Sequence, residues 1–160
     1  MRNIRKQLYV TYMEELYTIE GLELLSEHKL NEYFTDIIEN PYLEWIDIYL
    51  PNLNEPVGFL VIAKYPECHP DADYYIAETY IKPEYRRQNI MLTTVSNYIK
   101  NHTGIYSLFI ASKNDVAKKF WERVFKNVNY VPIYLSEEPI REPSPHFIQY
   151  GYKPKEQNDR

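Results

Sequence analysis

The order of secondary-structure signals predicts a mixed α/β layer with an antiparallel front, a crossover back half and flanking helices. Three observations carry this expectation. The apolar spacing switches repeatedly between the helical and the strand period. Segments rich in proline and asparagine fall where the period switches. The chain of 160 residues suits one domain with a substantial core. Residues 1–152 are expected to form that domain, and residues 153–160 a disordered tail.

Within residues 4–27, Leu8, Tyr12 and Leu16 recur at helical spacing, although a short strand over Ile4–Val10 also fits. From Lys29 onward, Leu30, Phe34, Ile37 and Ile38 describe an amphipathic helix. Asn40-Pro41 ends it, because proline disfavours the α conformation at the preceding residue. LEWIDIYL (43–50) alternates as a strand, PNLNEP (51–56) turns, and VGFLVIAKY (57–65) is apolar enough for a buried strand. The loop PECHPDAD leads into a third strand, YYIAETYI (74–81).

Residues 87–100 return to the helical period, with Met91, Val95, Tyr98 and Ile99 on one face. The strand IYSLFIA (105–111) follows. A helix then begins near Ser112–Asp115, with Val116, Phe120 and Val124 lining one face. YVPIYL (130–135) and HFIQYGY (146–152) read as closing strands, separated by the charged, proline-rich segment 136–145.

Composition narrows the function classes. The net charge is −5, so the basic clusters of a nucleic-acid interface are not expected, and a cationic or neutral partner fits better. Seventeen tyrosines stand against four glycines, which suits half-buried strands and cleft walls as well as a plain compositional bias. Cys68 is the single cysteine, which excludes an intrachain disulfide and argues against a cysteine-based zinc site. No other metal-ligand spacing is present; Cys68-His69 reads as loop, and His28, His102 and His146 share no pattern. The N-terminus lacks the apolar stretch of a secretory signal, and no window approaches the roughly 18 apolar residues of a membrane span. The expectation is a cytoplasmic protein that binds neither nucleic acid nor membrane, with homodimerisation left open.

The strand–loop–helix segment YIKPEYRRQNIM and the helix NDVAKKFWERVF together resemble the GNAT family of N-acetyltransferases over roughly residues 43–135. Ile81, Pro83, Tyr85 and Arg86 occupy the family's strand-end and P-x-Y-R positions. Asn89 and Met91 stand where small residues are usual. Asn114, Ala117, Phe120 and Trp121 match the second family motif in register. The resemblance implies a mixed, mostly antiparallel sheet splayed at a central parallel strand pair. It also implies acetyl-CoA as co-substrate, with a small molecule or protein supplying the acceptor amine. The pantetheine arm would pair with Thr79, Tyr80 and Ile81. Main-chain N–H groups of Arg87, Gln88, Asn89, Ile90, Met91 and Leu92 would hold the pyrophosphate, Arg86 of the P-x-Y-R motif counts among the cofactor-binding residues, and Asn114 would bond near the pantetheine or the following loop.

Physical chemistry supports the loop independently, because a helix N-terminus offers unpaired donors and a positive dipole end to an anion. Glycine is needed there only for close approach or positive φ, and asparagine tolerates the latter best. Lys118, Lys119 and Arg123 form a basic face, either solvated or in contact with the 3′-phosphate of CoA. The acid/base positions depart from the family. Trp121 replaces the usual tyrosine acid, and indole N–H donates a hydrogen bond without serving as an acid. Phe109 stands where some members carry a carboxylate. Trp121 is therefore expected to orient sulfur and Glu78 to act as base, directly or through water. Tyr130 and Tyr134 are further candidates. Loss of both usual groups also admits a catalytically silent binding or regulatory member; an RNA-directed enzyme is disfavoured by the acidic charge.

Overall fold

The computed structural model describes residues 1–136 and 146–157. The chain opens with helix α1 (Arg2–Glu20), so the helical reading of the N-terminus holds and the strand reading does not. Gly21 ends α1 in the left-handed conformation, at φ 66°. Ser26 caps α2 (Glu27–Glu39) by accepting from the Lys29 N–H. Strands β1 (Leu43–Ile48), β2 (Gly58–Lys64) and β3 (Tyr74–Ile81) form the antiparallel front. Helix α3 (Ile90–Asn101), strand β4 (Tyr106–Ala111) and helix α4 (Asp115–Asn127) make the crossover half. Strands β5 (Tyr130–Ile133) and β6 (Phe147–Pro154) close the sheet. Residues 137–145, most of the charged, proline-rich segment between the two closing strands, lie outside the described residues.

The six strands are ordered β1-β2-β3-β4-β6-β5, and among them only β3 and β4 pair in parallel. β2 is buried on both faces, which explains its continuous apolar run. Its Leu60 and Ile62 join Val95, Ile99, Val124 and Phe125 beneath α3 and α4. Its Phe59 and Val61 join Leu8, Tyr9, Leu30 and Phe34 beneath α1 and α2. At Gly58 the neighbouring strand comes very close: a Cβ there would stand 2.2 Å from the Tyr80 carbonyl oxygen.

Two element readings need correction. Val116 is 81% exposed, and the face of α4 that packs inward carries Trp121, Val124 and Phe125. The buried stripe is thus rotated from the expected one, although Val124 belongs to both. β6 runs to Pro154, and the Lys155 N–H donates to the Asn129 carbonyl at 2.8 Å, so the sheet continues past residue 152. Residues 158–160 lie outside the described residues.

Candidate functional site

The site begins with a defect in the sheet. Val61 and Ile62, consecutive on β2, face Glu78 and Ile76 on β3, so Ala77 is an extra residue. Such a bulge bends a strand and increases its twist. Parallel pairing of β3 with β4 covers Tyr74, Tyr75 and Ile76 and stops there. Beyond this point β3 pairs only with β2 among the described strands, and no strand pairs with its other edge from Ala77 to Ile81, which leaves a gap.

Two cavities meet in this gap. One, of roughly 680 Å³, runs from Thr79–Ile81 along the 85–92 loop to Ala117 and Arg123 on α4. The other, of roughly 580 Å³, lies toward α1 and α2 and is lined by Glu78, Tyr75, Phe109 and Asp36 among others. Tyr12, Leu16, Thr79, Asn114, Ala117 and Trp121 line both, so they mark the junction.

The loop after β3 presents donors to the first cavity. Pro83–Tyr85 makes a short 3₁₀ turn, and the first intrahelical bond of α3 is Thr93 N–H to the Asn89 carbonyl. The N–H groups of Ile90, Met91 and Leu92 therefore have no intrahelical acceptor. Asn89, at φ 58°, and Arg87, at φ 64°, are both left-handed. This matches the tolerance expected of asparagine, whereas the strained arginine was not anticipated; both delay the helix start to Ile90 rather than residue 87. Arg123 on α4 donates from Nη2 to Asn89 Oδ1, tying the loop to the neighbouring helix. Arg87, Lys119 and Arg123 line the cavity, whereas Lys118 and Gln88 are not on its wall.

Arg86 lines the same cavity with its guanidinium already engaged. Nη1 and Nη2 each donate to Glu15 at 2.7 Å, and Nε donates to the Ile81 carbonyl at 2.8 Å. The pair with Glu15 fastens α1 across the gap.

At the junction, Tyr12 of α1 donates its hydroxyl proton to Glu78 Oε2. Burial, and then the Glu78 charge, push the Tyr12 hydroxyl well above the usual phenol range. Tyr12 therefore stays protonated and holds Glu78 as an acceptor. The helical period marked Tyr12 as a packing position; its meeting with Glu78, 66 residues away, had no local signal. Trp121 is 5% exposed and packs edge-on against Phe120 at the junction. Asn114 caps α4, its Oδ1 accepting from the Ala117 N–H at 3.0 Å.

Other candidates fall away. The Tyr130 hydroxyl accepts from the Gly104 N–H, Tyr134 is exposed, and neither lines either cavity. Cys68 is buried, and burial pushes its thiol up, away from thiolate reactivity. His69 is fully buried; it accepts from Asp71 N–H at Nδ1 and its Nε2 lies 3.0 Å from the Ser136 carbonyl, a structural pairing. Among the described residues no group of three His, Cys, Asp or Glu could hold a metal ion, and no helix is long and apolar enough to cross a membrane.

Comparison with known proteins fits this geometry. The model of the acetyltransferase (GNAT) family matches residues 6–126, so the match extends N-terminally through nearly all of α1. An acetyltransferase from Thermus thermophilus superposes with a TM-score of 0.64 at 14% identity, over 94% of this chain and 88% of that one. Tetrahymena GCN5 gives 0.61 at 9% identity, over 94% and 85%. A spermidine N-acetyltransferase from Vibrio cholerae, solved with CoA and spermine, gives 0.59 at 14% identity, over 94% and 88%. At these identities the likeness speaks for the fold alone. No curated protein matches the chain in sequence.

Proposed function

The chain belongs to the acetyltransferase (GNAT) family, and from that premise we propose that it binds acetyl-CoA in the gap between β3 and β4 and acetylates an amine in the adjoining cavity. The observation that carries this reading is the meeting of two cavities along the unpaired edge of β3, one lined by a donor-rich helix start and the other by the Glu78 carboxylate. The residues present suit the cofactor. The free edge of β3 offers amide partners to pantetheine, and the donors of the 87–92 loop, with Arg87, Lys119 and Arg123 beside them, suit phosphates. Arg86 is better read as the clamp holding Glu15 and α1 than as a direct phosphate ligand.

When bound, the thioester supplies an activated acetyl group: the amine nitrogen forms the new C–N bond as the C–S bond breaks, and CoA leaves as a thiolate that takes its proton from solvent. Glu78 is placed to take the ammonium proton, directly or through one water, which frees the nitrogen lone pair. Tyr12 keeps that carboxylate oriented. Trp121 walls the junction and cannot supply a proton near neutral pH. Leu16, Ala117 and Phe120 give the cleft its apolar lining.

Acetyl-CoA should raise the melting temperature by mass action, and no shift at millimolar cofactor would remove the proposal. With binding established, CoA release over an amine panel tests transfer. Glu78→Gln should lower kcat by about 10²–10³-fold with the cofactor shift retained. A second reading, a catalytically silent acetyl-CoA binder, is favoured by Trp121 and Phe109 at the two usual acid/base positions. Cofactor binding without any amine-dependent CoA release would select it.

A further inference from the structure

We propose that the acceptor is a linear α,ω-diamine or longer polyamine, a cation with a second positive centre beyond the reacting nitrogen. This inference rests on the acetyl-transfer reading above and assigns its substrate class. The two cavities that meet at the junction have opposite charge. Arg86, Arg87, Lys119 and Arg123 line the cofactor side, with Glu15 as the only carboxylate among the described residues. The acceptor side is lined by Asp36, Glu67 and Glu78, and among the described residues no lysine or arginine lines it. These carboxylates come from α2, the 65–73 loop and β3, so the tertiary fold gathers them. Neither Asp36 nor Glu67 forms an ion pair among the described residues.

The chemistry of the step separates one charge from two. The reacting amine must lose its proton before it attacks, so its charge cannot compensate the cavity at that moment. Glu78, bonded to Tyr12 at the junction, is the group placed to accept that proton. Asp36 and Glu67 line only the acceptor cavity and are absent from the wall of the cofactor cleft. They suit a second ammonium that keeps its proton throughout. Tyr33, one helical turn before Asp36 on α2, and Tyr17 and Tyr75 on other walls offer aromatic faces to a cation and to its methylene chain. An amino acid would bring a carboxylate into a cavity already holding three, which the same field opposes.

The test uses the full chain saturated with CoA and isothermal calorimetry. α,ω-Diamines of three to eight carbons are each compared with the monoamine and the ω-amino acid of equal length. The best diamine should bind at least about tenfold more tightly than its monoamine, with the amino acid weakest. Asp36→Asn and Glu67→Gln should each shrink the diamine-to-monoamine ratio several-fold while CoA affinity stays within about twofold. Equal binding of diamine and monoamine at every length, or tightest binding of the amino acid, overturns the proposal and leaves acetyl-CoA binding untouched. Failure of the protein to bind CoA at all is a separate result; it sinks the acetyl-transfer reading and this inference with it.

Discussion

In the phosphate loop proposed above, Asn89 stands at a position where the family resemblance places a small residue. It sits at φ 58°, where asparagine is the least costly residue after glycine, and its side chain is held by Arg123. Asn89→Gly should preserve cofactor affinity to within a few-fold. Asn89→Val should destabilise the loop by about 1–2 kcal/mol, read by chemical denaturation. Asn89→Glu should abolish acetyl-CoA binding by setting a carboxylate against phosphate, and unchanged affinity would displace the loop from its assigned role. At the junction, Tyr12→Phe removes the hydrogen bond that orients Glu78. Steady-state kinetics should then show kcat lowered several-fold with acetyl-CoA affinity retained, a split that a purely structural role for Tyr12 would not produce.

At the scale of elements, the bulge at Ala77 and the cap at Asn114 position the site. The bulge ends the β3–β4 pairing and opens the gap. The cap sets the start of α4, and with it the placement of Ala117 and Trp121 at the junction. Asn114→Ala should cost about 1 kcal/mol in urea melts, with Asn114→Asp restoring most of it. The apolar period of α4 left two adjacent stripes open. Val116 was read onto one face with Phe120 and Val124, yet it stands exposed on the wall of the 680 Å³ cavity, because the sheet receives the stripe through Trp121 and Phe125 instead.

For the molecule as a whole, the many tyrosines make stability sensitive to alkali. Burial pushes Tyr98 and Tyr106 far above the usual phenol range, and Tyr80, Tyr130 and Tyr152 in the same direction. The folded chain keeps these protons at a pH where the unfolded chain, with phenols near 10, releases them. Their contribution is therefore complete below about pH 10 and is lost as pH rises toward the folded values. Tyr98 and Tyr106 each add a slope of about 1.4 kcal/mol per pH unit over that interval. The melting temperature should fall steeply above about pH 10, and a flat profile would contradict the burial of these hydroxyls.

What the sequence determined by itself was local: the helical and strand periods, the strand–loop–helix with its Asn89, the Asn114 motif, and the acidic balance. Those signals sufficed for the element order and for the strand–loop–helix to which the proposal assigns the cofactor, because its main-chain donors belong to one contiguous segment. Only the tertiary structure formed the cavity to which the proposal assigns the acceptor. Tyr12 meets Glu78, Glu15 engages Arg86, and Asp36 and Glu67 turn toward the same cavity from separate elements. None of these pairings has a sequence period, since each depends on how α1 and α2 lie across a sheet that a one-residue bulge has bent open.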